Sequence, residues 1–114
     1  MAKYESKLKG DFNELLHKLD NGIMRGSISS SFEDGSDLQY KEIRCAVRVY
    51  ERYSMAGSNR VSLNITLIGS GDDLFLSAIT SGGSQAVFMK INTIGEENFL
   101  AGVREIVEDY RRSQ

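Results

Sequence analysis

The chain predicts an α+β fold: one antiparallel sheet with two helices packed on a single face. Two stripes of apolar residues at helical spacing lie near the ends of the chain, around a central block of segments alternating with period two. Turn residues separate those segments closely enough for hairpins. The order read is β-α-β-β-β-β-β-α, with about five to six strands, in one domain spanning residues 1–114.

The first segment, Lys3 to Leu8, is a short mixed stretch read as an edge strand. Asp11 then opens a helix, with Glu14 three residues on, as in a capping box. Phe12, Leu15, Leu16, Leu19 and Ile23 form its stripe, and Gly26 is a natural stop. Ser27 to Glu33 alternates and reads as a strand. Asp34-Gly35-Ser36-Asp37 reads as a turn leading to a strand that starts near Tyr40 or Lys41.

The central hairpin joins Ile43–Tyr53 to Arg60–Leu67. A register that keeps like faces together sets Val47 opposite Leu67, Val49 opposite Ile65 and Tyr53 opposite Val61. The outer face then pairs Arg52 with Ser62, Tyr50 with Asn64 and Arg48 with Thr66. Gly69 to Asp73 turns the chain again. Leu74–Thr80 and Gln85–Ile91 follow as another hairpin around Ser81-Gly82-Gly83-Ser84. A last helix runs from about Glu96 to about Arg112, with Phe99, Val103, Ile106, Val107 and Tyr110 as its stripe. Gly102 lies beside that stripe, where close approach to the sheet would explain it.

Composition narrows the function classes. The 114 residues are 40% hydrophobic and 26% charged, with a net charge of -2, as in ordinary soluble domains. That balance argues against nucleic acid as a partner. With one cysteine there is no internal disulfide. A single thiol and the lack of a signal-like apolar run point to the cytoplasm. No run is long enough to span a membrane.

Catalytic chemistry finds little support. His17 is the only histidine and falls on the solvent side of its helix, with no nucleophile beside it. Cys45 shares a face with Ile43, Val47 and Val49, which reads as a small buried hydrophobe rather than a reactive thiol. The glycine-rich turns at Gly69–Asp73 and Ser81–Ser84 lie between strands, without the following helix a phosphate loop needs. Asp72-Asp73 and Glu96-Glu97 are neighbours whose side chains point apart. No metal set and no cofactor is implied.

One constellation points to binding. Arg44, Arg48 and Arg52 recur with period four around Tyr50, so they form a row on one strand face. Asn64, Phe75, Ile79 and Phe88 join that face if the sheet is continuous. Arginine mixed with exposed aromatics is an interface composition.

The runs Arg44–Ser54, Asn59–Gly69 and Ala78–Ala86 resemble a family of small uncharacterised proteins from Gram-positive bacteria. The likeness covers nearly the whole chain. It implies a bacterial cytoplasmic domain and brings no catalytic or binding residues with it. The order of elements is also similar to a shortened helix-grip fold, a fold-level analogy.

The expectation is a non-enzymatic binding or assembly module that self-associates through its outer sheet face. A small-ligand carrier with a cavity between helices and sheet is the alternative. An enzyme built on Cys45 or His17 comes third.

Overall fold

The cap at Asp11 forms as its spacing predicts. The Asp11 carboxylate accepts the Glu14 backbone N–H at 2.9 Å, and helix α1 (Phe12–Arg25) begins at the next residue. Phe12, Leu15, Leu19 and Ile23 are its buried face. The computed structural model describes residues 1–54, 59–82 and 89–114. Around α1 it places strands β1 (Ala2–Lys9), β2 (Ser31–Tyr40), β3 (Ile43–Ser54), β4 (Asn59–Ser70) and β5 (Asp73–Gly82), and helix α2 (Met89–Arg112).

Among the described residues the five strands form one sheet, ordered β1-β5-β4-β3-β2, every neighbouring pair antiparallel. The α+β class holds. Both helices lie on one face. There α2 packs against β5, β1 and β4, and α1 packs against α2 and β4. The core between these layers is Leu15 and Leu19 of α1, Val103 and Val107 of α2, and the row Val61, Leu63, Ile65 and Leu67 of β4, all buried. Burying such side chains contributes roughly 1.5–3 kcal/mol each, which is what holds the helices to the sheet.

Three boundaries differ from the sequence reading. The strand expected over Ser27–Glu33 starts at Ser31, and the Asp34–Asp37 stretch lies inside β2 rather than in a turn. Its residues from Phe32 to Tyr40 are all exposed, so this edge strand needs no apolar face and its polar composition mimics a loop. A register shift between Phe32 and Asp34 bends it. The turn falls instead at Lys41-Glu42, between the paired Tyr40 and Ile43, with Lys41 at φ 55°.

The strand expected over Gln85–Ile91 lies partly outside the described residues, and Met89–Ile91 belong to α2. Alternation over so few residues does not separate strand from helix. Gly102 has open space around it and approaches nothing. Where the two helices meet, the close glycine is Gly22 of α1, at which an added Cβ would stand 2.5 Å from Ile106 Cδ1.

Candidate assembly surface and the neighbouring cleft

The register of β3 on β4 decides what each sheet face carries. Arg44 pairs with Gly69, Ala46 with Leu67, Arg48 with Ile65, Tyr50 with Leu63 and Arg52 with Val61. Paired residues share a face, so the arginine row and Tyr50 lie on the helix side with the core of β4. This is one residue off the expected register, and it turns every side chain of β3 over. The bulky β4 row of Val61, Leu63, Ile65 and Leu67 has first claim on the helices. Among its described side chains the partner strand supplies only Ala46 and Tyr50 to the buried layer.

The predicted binding residues are therefore split. Arg44, Arg48, Tyr50 and Arg52 face the helices, Asn64 and Phe75 lie on the outer face, and Phe88 is outside the described residues. The arginines are engaged where they stand. Arg44 covers the Phe12 ring at 4.3 Å and donates to Asn13 Oδ1 at 2.8 Å. Arg52 covers the Phe99 ring at 4.3 Å, and burial pulls its guanidinium below the ordinary arginine range. Arg48 donates to Asp37 Oδ1 at 2.9 Å and to the Val47 carbonyl, also at 2.9 Å. Their stems cover apolar surface beside the helices and their heads reach the rim.

Tyr50 is buried, and its hydroxyl donates to Asp20 Oδ1 at 2.7 Å. Burial first, then the hydrogen bond to Asp20 and its negative charge, push the phenol well above the usual tyrosine range. The positive charge of Arg48 counters this in part.

What β3 turns outward is its apolar set: Ile43, Cys45, Val47 and Val49. Cys45 is thus half-buried on the outer face, not a core residue between helices and sheet. Four cross-strand rows build this face. They run Lys3–Ile79–Asn64–Val49–Asp34, Glu5–Ser77–Thr66–Val47–Ser36, Lys7–Phe75–Ile68–Cys45–Leu38 and Lys9–Asp73–Ser70–Ile43–Tyr40. Large side chains stand open to solvent there: Leu38 at 59%, Tyr40 at 70%, Ile43 and Ile79 at 40% and Ile68 at 37% exposure. Apolar residues spread over four adjacent strands form a patch rather than the scatter of a normal surface.

Sequence reasoning placed Ile79 on this face but missed Leu38, Ile43, Val47, Val49 and Ile68 as surface residues. One signal was present. Ile68 and Ile79 interrupt the polar alternation of their strands and have no place in a merely solvated face.

On the helix side, an open cleft of about 630 Å³ runs between α1 and the β2–β3 hairpin. Leu16, Met24 and Phe32 give it apolar walls, and Asn13, His17, Asp20 and Arg48 line its polar part. His17 is exposed, as the helix periodicity predicts. It and Cys45 lie on opposite sides of the sheet, so they cannot act as a nucleophile and base.

No described helix is long and apolar enough to cross a membrane. Among the described residues no three His, Cys, Asp or Glu side chains gather as a metal-ligand set. A comparison with curated proteins finds no match to this chain. The profile of a family of unknown function, DUF6054, matches residues 1–111, and the chain belongs to that family.

Proposed function

We propose that this protein is a non-enzymatic assembly module of the bacterial cytoplasm that self-associates through the outer face of its sheet. The observation that carries this reading is the orientation of β3. Its apolar set points away from the helices, while Arg44, Arg48 and Arg52 share the helix-facing side with Ala46 and Tyr50. A solvated sheet face alternates the other way. Covering Leu38, Ile43, Ile68, Phe75 and Ile79 with a second molecule removes apolar area from water at about 25 cal/mol per Å².

The test is molar mass by light scattering over a concentration series. A dimer or higher assembly at micromolar concentration is expected. Ile68→Asp places a charge at the centre of the patch and raises the dissociation constant by at least about 100-fold, because like charges across a contact cost several kcal/mol. Circular dichroism checks that the variant is folded. A wild-type protein that stays monomeric at high micromolar concentration defeats the proposal.

The cleft beside α1 supports a second reading, a carrier of a small amphiphile. Its apolar body would lie on Leu16, Met24 and Phe32, with its polar group toward Asp20 and Arg48. A thermal-shift screen of small amphiphilic amines and acids tests this. A hit that raises the melting temperature of the wild type but not of Phe32→Asp supports it. No hit across the panel counts against it.

A further inference from the structure

Resting on the self-association proposed above, we infer that the occupant of the outer face is a second copy of this chain, related by a two-fold axis running along β4. The strand order β1-β5-β4-β3-β2 puts β4 in the middle of the sheet. Two identical sheets packed face to face have two simple ways to be symmetric. An axis along the strands lays β1 of one copy over β2 of the other and β5 over β3. An axis across the strands lays each strand on its own copy.

Charge separates the two arrangements. The outward side chains of β1 are Lys3, Glu5, Lys7 and Lys9, whereas those of β2 are Asp34, Ser36, Leu38 and Tyr40. The Lys9 ammonium is already matched within its own row by Asp73. An axis across the strands stacks the lysine-rich β1 edge on itself, a like-charge juxtaposition. An axis along β4 keeps each cross-strand row level with itself and reverses it. Lys3 of one copy then faces Asp34 of the other, and Lys7 lays its stem on Leu38.

The same reversal matches the apolar residues. Ile79 meets Val49, Phe75 meets Cys45, and Ile68 meets its own copy on the axis. The apolar matches thus fall in two of the four rows, Ile79 with Val49 and Phe75 with Cys45, while Val47 meets Ser77 and Ile43 meets Asp73. Aligned sheets pack about 10 Å apart and rotated by about 30°, so the central rows seat closest and the corner lysines bridge the rim.

The area suffices. Five strands of eight to twelve residues, spaced about 4.8 Å apart with a rise of about 3.3 Å per residue, cover roughly 600–950 Å² per copy. A specific interface of standard size buries about 800 Å² per partner.

Cysteine cross-linking tests the arrangement. In a Cys45→Ser background, Ser70→Cys near the end of β4 and Glu5→Cys on β1 are each treated with a short bis-maleimide. With the axis along β4, Ser70→Cys links to its own copy and Glu5→Cys does not. Any other pattern in a protein that light scattering shows to be dimeric overturns the arrangement and leaves self-association standing. A monomer by light scattering removes the underlying proposal itself.

Charge reversal gives a second readout. Lys3→Asp and Asp34→Lys each weaken the dimer about two- to five-fold, the range for exposed ion pairs, and together they restore it. If the double variant is as weak as the sum of the two, Lys3 does not face Asp34.

Discussion

Tyr50 illustrates how one side chain on the unexpected face acquires a pH signature. Its phenol is protonated more tightly in the fold than in the unfolded chain, because it is buried and hydrogen-bonded to Asp20. A raised folded pKa contributes stability that is fully present below the unfolded tyrosine range, near 10. That stability is lost as pH rises through and beyond it. Urea stability should therefore fall steeply above pH ~10, and Tyr50→Phe should flatten that fall. At neutral pH the same variant should cost about 1 kcal/mol for the lost hydrogen bond. Asp20→Asn should lower the Tyr50 titration seen by tyrosinate absorbance but leave it elevated, since burial is the larger cause. An alkaline fall of unchanged size in Tyr50→Phe would show that another group controls it. Two glycines provide an opposed pair at the same scale. A Cβ at Gly69 would lie 2.7 Å from Phe12 Cδ2 and 3.2 Å from Leu74 Cδ2, so Gly69→Ala should destabilise by about 1–3 kcal/mol. Gly102 is exposed with open space around it, and Gly102→Ala should stabilise by up to about 1 kcal/mol. Denaturant midpoints of the two variants moving in the same direction would contradict this packing.

At the scale of elements, the two helices are locked to each other and to β1 at one end of the molecule. The Tyr110 hydroxyl accepts the Asp11 backbone N–H at 2.8 Å, joining the last turn of α2 to the cap of α1. Gly10 lets the ring in, because a Cβ there would stand 2.6 Å from Tyr110 Oη. Arg111 adds a bond to the Lys7 carbonyl at 2.9 Å. Tyr110→Phe should cost about 1 kcal/mol and increase amide exchange at Asp11 and in the first turn of α1 more than elsewhere. Uniform change across the chain would mean that the hydroxyl does not anchor that end. The sheet edges are guarded differently. β1 alternates Lys3, Glu5, Lys7 and Lys9 on its outer face, and β2 carries a register shift and Gly35. Both devices discourage edge-to-edge pairing, which leaves the face rather than the edge as the route for the assembly proposed above.

For the whole molecule, one layer of helices covers one side of a five-stranded sheet, and among the described residues nothing covers the other. Among the described residues the outer face keeps Ile43, Ile68 and Ile79 in water. Cys45 lies in that face and is half-buried in the single chain, which makes it a reporter. Its alkylation by a thiol reagent should slow several-fold as protein concentration passes through the dimer range, and Ile68→Asp should abolish the dependence. A rate independent of concentration in a protein known to be dimeric would place the interface elsewhere. Raising salt should weaken the proposed dimer only slightly, since screening acts on exposed rim charges while the apolar centre is insensitive to it.

Much of this was legible in the residues. Asp11 with Glu14 and the stripe from Phe12 to Ile23 determined α1, because capping and amphipathicity are local properties. Val61, Leu63, Ile65 and Leu67 determined which face of β4 is buried, since that row is unbroken and bulky. The α+β class followed from these elements needing each other to hide their apolar sides. The face of β3 was not legible. Its two alternating sets, Ile43, Cys45, Val47 and Val49 against Arg44, Ala46, Arg48, Tyr50 and Arg52, are each self-consistent, and hydrophobicity alone chooses the first for the core. The tertiary structure chose the second. Arginine stems packed over Phe12 and Phe99, with a tyrosine hydroxyl reaching Asp20, satisfy the helix side while their charged heads stay at the rim. A period-two pattern fixes which residues share a face. Which face meets the helices depends on contacts thirty or more residues away, and those exist only once the sheet and helices have come together.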